Sequence, residues 1–239
     1  KPLRFLGATA TIANQEEVVK NLTGFEEKDQ QQFPIDSDYW IETGGRYFEK
    51  STEIRHRFVI LQPVISTTID SVERMSLVGI DALQQLKKSA NLPTVLQKVD
   101  MSSIYKTQTI YANRLDIAER IYHSLPDRAE REGYATPKTK YVHAMPRNEI
   151  FAALDMVERN EVELLITTSV LAQGVDFPNL NIMHFYGMPD SFVELSQVAG
   201  RTGRGKYPSL VFLHMRADIP RDKSMYERFR EILEHVDKW

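Results

Sequence analysis

A chain of 239 residues is long enough for one large or two small domains. With 42% hydrophobic residues, 26% charged residues and a net charge of −3, it is neither disordered nor collagen-like, nor basic over its whole surface like a nucleic-acid-coating protein. The lack of cysteine excludes thiol nucleophiles, cysteine-ligated zinc and iron–sulfur clusters, and no run nears the ~18 apolar residues of a membrane span.

Leu3 to Ala8 reads as a buried strand, followed by a helix from Asn14 to Leu22 that Gly24 stops. Because an apolar strand opens the sequence directly at Lys1, with no signal peptide, the chain is expected to be a piece of a longer protein. Residues 25–51 show no clear period and read as an irregular linker around the Thr43-Gly44-Gly45 turn. Arg57–Val64 predicts a strand. Thr67–Lys88 predicts a long amphipathic helix, with Ile69, Val72, Leu77, Ile80, Leu83 and Leu86 near helical spacing. Asn91–Ser103 reads as a loop or broken helix.

From Lys106 the alternation is regular. Strands are expected at Thr107–Ala112, Lys140–His143, Glu163–Thr167, Asn181–Tyr186 and Ser209–His214, and helices at Leu115–Leu125, Asn148–Arg159, Phe192–Ala199 and Asp222–His235. Strands and helices alternating at this spacing imply an α/β fold, an open parallel sheet with helices on both faces and right-handed crossovers.

The strongest chemical signal is Gln197-Val-Ala-Gly-Arg201-Thr-Gly-Arg204-Gly. On a continuous helix Gln197, Arg201 and Arg204 would fall on one face. Two planar guanidinium forks suit a polyphosphate, and Gly200 and Gly203 would let another backbone or a phosphate come close. A solvated arginine pair at a helix end is the bland reading, but it leaves the two glycines unexplained. A second signal is Leu164-Leu-Ile-Thr-Thr168-Ser-Val-Leu-Ala-Gln-Gly174-Val-Asp176-Phe-Pro178, an apolar strand running into a polar turn. Thr167 and Thr168 at the strand's carboxyl end could hold a nucleic-acid phosphate, and Asp176 could accept from a ribose hydroxyl; a capping Asp and turn threonines are the alternative. The opening, Phe5-Leu-Gly-Ala-Thr9-Ala10-Thr11-Ile-Ala-Asn14, fits a strand-to-helix turn capped by Asn14 just as well as a functional loop.

In this order, the three segments resemble motifs III, V and VI of superfamily 2 helicases. Thr9-Ala10-Thr11 is similar to the Ser-Ala-Thr of motif III. The stretch from Thr168 to Asp176 resembles motif V, and Gln197 to Arg204 resembles the Gln-x-x-Gly-Arg-x-Gly-Arg of motif VI. Thr109-Ile-Tyr-Ala-Asn113-Arg114 occupies the motif IV slot, and Tyr141-Val-His143 with Arg147 resembles the strand and turn after it. The segment Ile219-Pro-Arg221-Asp222-Lys-Ser-Met-Tyr226-Glu-Arg-Phe229 resembles a subgroup of bacterial DNA helicases linked to phage defence and DNA repair.

The resemblance implies a RecA-like fold and an organisation in three parts. Residues 1–24 would be the end of a first RecA-like domain, 25–103 a linker or insertion with a strand and a long helix, and 104–239 the second RecA-like domain. It also implies roles. Arg201 and Arg204, with Gln197, would serve catalysis as arginine fingers on the γ-phosphate of ATP, and Gly174 and Asp176 would face its ribose. Thr168, Asn113 and Arg114 would grip a DNA or RNA backbone, and Thr9 and Thr11 would couple the two events. ATP and Mg²⁺ would be held mainly by the first domain, whose phosphate-cradling loop and acidic motif do not occur in this sequence. Gly200-x-x-x-x-Gly205-Lys206 imitates such a loop, but Tyr207 stands where Ser or Thr is needed, and a strand pattern follows where a helix is required. By itself the chain is expected not to hydrolyse ATP.

Other candidates are weaker. His143 reads as a turn residue, and His184 and His214 as core or strand-end residues. Tyr39, Trp40, Tyr47 and Phe48 fit linker packing or base stacking. Metal-ligand spacing is absent. The location expected of such a motor is the cytoplasm. A non-motor binding or interaction module, an RNA helicase and a restriction subunit remain as alternatives.

Overall fold

A computed structural model of the chain describes residues 20–21, 56–88, 104–170, 180–204 and 207–233. The chain divides into two units, Lys1–Ile54 and Arg55–Trp239. Within the first, only the helical Lys20 and Asn21 are described, so the expected strand at Leu3, the Thr43-Gly44-Gly45 turn, and Thr9 and Thr11 lie outside the described residues.

In the second unit the elements run β1 (His56–Leu61), α1 (Thr68–Lys88), β2 (Gln108–Tyr111), α2 (Leu115–Glu132), β3 (Thr139–Val142), α3 (Arg147–Glu158), β4 (Leu164–Thr167), β5 (Ile182–Tyr186), α4 (Phe192–Ala199), β6 (Ser209–His214) and α5 (Pro220–Leu233). The strands form one six-stranded sheet, order β1-β6-β5-β2-β4-β3, with every pairing parallel. This is the expected open α/β sheet. The period of two sends alternate residues to opposite faces, and each face is apolar. Ile110, Ala112, Leu164 and Ile166 pack with Ile69, Val72, Leu77 and Ile80 of α1 and Ala118, Ile121, Leu125 and Ala129 of α2. Tyr111, Val142, Leu165, Met183, Phe185, Val211 and Leu213 face the other way, against Ala153 and Val157 of α3, Leu195, Val198 and Ala199 of α4, and Phe229 of α5.

Two sequence expectations change. The strand and helix assigned to a linker or insertion within 25–103 belong to the sheet domain itself. His56–Leu61 pairs along its whole length with Ser209–His214, and α1 covers the sheet beside α2. The sheet domain therefore begins at β1, not at residue 104. The helix expected to stop at Leu125 runs on through Pro126 to Glu132. Pro126 is exposed, so its missing N–H and its ring fall on the solvent side. Buried Arg128 and Ala129 hold the following turn, and Gly133 ends the helix in a left-handed conformation, its N–H reaching Ala129 O and Glu130 O.

Arg128 is the polar bolt between α1 and α2. Its guanidinium pairs with Asp70 and Glu73 of α1, and donates to Glu132 Oε1 at 3.0 Å. Glu73 is fully buried and also accepts from the Ser124 hydroxyl. Burial pushes the Asp70 carboxyl up. Hydrogen bonds from the Thr67 hydroxyl and backbone N–H, with the Arg128 charge, outweigh burial and hold it below the ordinary carboxylate value.

A second polar chain ties α1 to the sheet. Ser71 Oγ lies 2.8 Å from His214 Nδ1, His214 Nε2 3.1 Å from His184 Nδ1, and His184 Nε2 3.0 Å from Gln108 Oε1. The carbonyl of Gln108 can only accept, so the protons run one way: Ser71 donates to His214, His214 to His184, and His184 to Gln108. Each ring is then a neutral imidazole using both nitrogens. Burial lowers the pKa of both, His214 to about 4, and the neighbouring His214 charge depresses His184 further. Both histidines expected at core or strand-end positions are thus core residues, 1% and 0% exposed. Gly79 admits the Gln108 side chain against α1, since a Cβ there would lie 2.5 Å from Gln108 Nε2.

Candidate functional site

All six strands are parallel, so their carboxyl ends share one edge of the sheet. β2 leaves this edge toward the α2 face and its neighbour β5 leaves toward the α4 face, and such a divergence opens a crevice between the strand ends. Asn113 and Arg114 lie at the end of β2, both exposed. Asn113 Nδ2 donates to Asp190 Oδ1 at 3.3 Å, across the crevice from the loop after β5. Arg114 Nε and Nη2 donate to the two oxygens of Asp116 at 3.0 and 2.7 Å. That carboxylate holds the guanidinium above its ordinary pKa, against a smaller opposing push from Arg216. Thr167 ends β4, and Thr168 follows it; both are buried, and Thr167 Oγ1 donates to Thr168 O at 3.4 Å.

The loops of this edge are held from beneath. Asp222, at the start of α5, is 1% exposed, and its Oδ2 accepts from the backbone N–H of Met188 at 3.1 Å and of Arg216 at 2.9 Å. Ser191 caps α4 by accepting from Glu194 N, while Glu194 accepts from Asp190 N at 3.1 Å and from the buried Tyr111 hydroxyl. Desolvation and the Glu194 carboxylate push the Tyr111 phenol far up, so it is a permanent donor. The exits of β2 and β5 therefore hold a fixed relation.

The segment after α4 occupies the opposite edge, where β6 starts. The helix ends at Ala199, not at Arg204 as the three-residue helical face required. Arg201 N donates to Val198 O at 3.0 Å and Thr202 N to Ala199 O at 2.9 Å, a tightened last turn. Gly203 then takes φ 61°, and its N–H donates to Leu180 O at 3.2 Å, just before β5. Thr202 Oγ1 reaches Ser209 Oγ at 2.9 Å and so fastens the turn to β6. Gln197 and Arg201 are half-buried, and Arg204 is exposed with its Nε donating to Gly200 O at 3.0 Å. Gln197 and Arg201 thus stay near one turn, while glycine redirects Arg204. Gly174 and Asp176 lie outside the described residues, as do Gly205 and Lys206.

The structure thus brings Asn113, Arg114 and Thr168 to one edge, and Gln197, Arg201 and Arg204 to the other. With about 3.3 Å of rise per residue, the five residues of β5 separate the two edges by roughly 16 Å. Guanidinium forks beside backbone amides suit a triphosphate. Among the described residues no cluster of three carboxylate or imidazole groups could hold a metal ion, and no helix is long and apolar enough to cross a membrane. Sequence reasoning missed Arg216 at the exit of β6, whose Cζ lies 5.7 Å from the centre of the Tyr186 ring. Its one signal was a cation directly after an apolar strand.

Comparison with known proteins gives the same architecture a lineage. The model of the helicase conserved C-terminal domain family matches residues 87–206. DISARM protein DrmA of Bacillus paralicheniformis is 24% identical over 249 residues, covering 95% of this chain and 21% of DrmA. ATP-dependent RNA helicase ROK1 of Pyricularia oryzae is 27% identical over 146 residues, 58% of this chain and 19% of ROK1. The chain therefore spans about a fifth of the length of these curated relatives. The crystal structure of the DUF1998 helicase MrfA bound to DNA and AMPPNP superposes with a TM-score of 0.62 at 19% identity, over 95% of this chain and 27% of that one. The likeness is one of fold, a RecA-like α/β domain.

Proposed function

The chain belongs to the helicase conserved C-terminal domain family, and we propose that it contains the second RecA-like domain of an ATP-dependent helicase or translocase. The observation that carries this reading is the division of labour across the sheet. The arginine pair stands at one edge, and the exposed polar ends of β2 and β5 stand at the other. A motor that couples two events needs two such sites joined by a rigid body.

In this reading Arg204, assisted by Arg201 and Gln197, reaches across a cleft to the nucleotide held by the first RecA-like domain, to which residues 1–24 belong. Gly174 and Asp176 face the ribose, and Thr9 and Thr11 couple the domains. ATP, when bound with Mg²⁺, supplies the phosphoanhydride bond; the arginines of this chain orient and neutralise the charge that builds on its terminal phosphoryl oxygens. Asn113, Arg114 and Thr168 hold the phosphodiester backbone of a strand, which makes the grip independent of base sequence. The DNA-bound MrfA favours DNA as substrate, and the likeness to the RNA helicase ROK1 supports RNA as the second reading. Comparing the unwinding of DNA and RNA duplexes by the full-length protein separates the two.

An arginine finger is typically worth about 10³–10⁵ in rate. Arg204→Ala, and the Arg201→Ala/Arg204→Ala pair, in the full-length protein should lower nucleic-acid-stimulated ATP hydrolysis at least about a hundredfold. Without nucleotide, nucleic-acid affinity should stay within about twofold of the parent. Wild-type turnover in the double variant would remove the finger role.

A further inference from the structure

Three strand ends meet at the crevice, and the motifs account for only one of their cations. Tyr186, the last residue of β5, lies opposite His214 of β6, and on its other side Phe185 lies opposite Tyr111 of β2. Arg114 follows β2 and Arg216 follows β6, so the two guanidiniums approach the end of β5 from its two neighbours. The Arg216 guanidinium lies over the Tyr186 ring, and its Nε is buried with no hydrogen-bond partner. Its Nη2 is tied to Asp218 at 2.9 Å.

Both cations share one arrangement. Each is held by an aspartate two residues further along the chain, Arg114 by Asp116 in the first turn of α2 and Arg216 by Asp218, and the carboxylates are 62% and 69% exposed. Exposed pairs of this kind add little to stability, and a strand whose successive phosphodiesters offer a row of negative charge, and release condensed counterions on binding, competes with them for both forks. Tyr186 holds the Arg216 fork in place through its ring face, so little freedom is lost when the fork takes an anion. The amino end of α2, directly after Arg114, adds donor N–H groups on the same side.

We propose that Arg216, seated on Tyr186, is a phosphate-gripping residue that works with Arg114 on the backbone of one nucleic-acid strand. This rests on the reading of the strand-end edge as the nucleic-acid side. Asp116 and Asp218 then act as internal occupants of the two forks, which give way when the strand arrives.

The test uses the full-length protein without nucleotide and labelled oligothymidylate and oligouridylate of about 20 nucleotides, longer than the ~4–16 nucleotides covered by a common single-strand-binding fold, the OB-fold. Arg216→Gln should weaken binding about fivefold or more at moderate salt, and should lower the slope of log affinity against log salt by roughly 0.7, one phosphate contact on a single strand. Arg216→Lys should recover part of the slope. Asp218→Asn should tighten binding. Asp155→Asn, which removes the same charge from a pair with Arg159 near the far end of α3, should not. If Arg114→Gln weakens binding while Arg216→Gln and Asp218→Asn both match the parent, the Arg216 assignment is overturned and the edge reading stands. If Arg114→Gln also matches the parent, both fall. Should Arg216→Gln fail to fold, Asp218→Asn against Asp155→Asn decides.

Discussion

At Gly203 the backbone turns left-handed at φ 61°, and that residue separates what was legible in the arginine motif from what was not. The residue types suggested a phosphate partner, on which the proposed function rests, because two guanidiniums lie within four positions; the two glycines have a use in the fold itself, Gly200 as the helix cap and Gly203 as the left-handed turn. The geometry was hidden, since helical periodicity assumes a helix that continues, and here Gly200 caps it. His184 and His214 were opaque for another reason. On apolar strands they resemble any buried histidine, and only the sheet register brings them together with Ser71 and Gln108. Their chain has a pH consequence. A folded pKa depressed from 6.5 to about 4 means that the unfolded chain binds more protons between those values, so stability falls as pH drops below 6.5. For His214 alone, the loss between pH 7.5 and pH 5 is about 2 kcal/mol, and His184 adds to it in the same direction. Urea midpoints across that window should fall steadily with acid, and His214→Gln should flatten the fall. A level profile for the parent chain would show that the rings are not held neutral.

Among the elements, α1 and α2 depend on each other through Arg128. Glu73→Ala removes the fully buried partner and leaves the guanidinium with weaker neighbours, a change that costs about 3–5 kcal/mol in comparable buried pairs. Replacing both members together, as Glu73→Met with Arg128→Leu, should restore most of that loss, because two apolar chains bury without desolvating a charge. Chemical denaturation of the two variants checks the pattern, and equal losses in both would refute the pairing. This bolt also explains why α2 passes Pro126, where sequence rules stop a helix: the residues that anchor the helix lie beyond the proline. The place of β1 was illegible for a similar reason. His56-Arg-Phe-Val-Ile-Leu61 reads plainly as a strand, but its partner is β6, 153 residues away at the His56–Ser209 contact, and local pattern carries no information at that range. The alternation after residue 106 was legible because the central strands β2 and β4 are buried throughout and β5 along all but its last residue, so apolar residues fall on both faces of each.

On the scale of the molecule, the two edges sit at opposite ends of one sheet whose strands are close-packed on both faces. Residues more than about 7–10 Å apart with no shared partner act independently on binding, and the length of β5 sets the edges that carry Arg114 and Arg204 roughly 16 Å apart. In the full-length protein without nucleotide, Arg114→Gln should weaken single-strand binding, Arg204→Ala should leave it unchanged, and the double variant should match Arg114→Gln within about 0.3–0.5 kcal/mol, or roughly twofold. On the proposed motor reading, coupling should appear only when a first RecA-like domain closes with this one on a nucleotide, since closure alone would link the edges through a second body. With a non-hydrolysable ATP analogue present, the affinity difference between Arg204→Ala and the parent should open to about fivefold or more, the range of ordinary allosteric coupling. Fluorescence anisotropy on the four proteins, with and without the analogue, measures both quantities. Non-additivity already present without nucleotide would mean that the edges communicate through the sheet itself, and the rigid-body account of this domain would have to be abandoned.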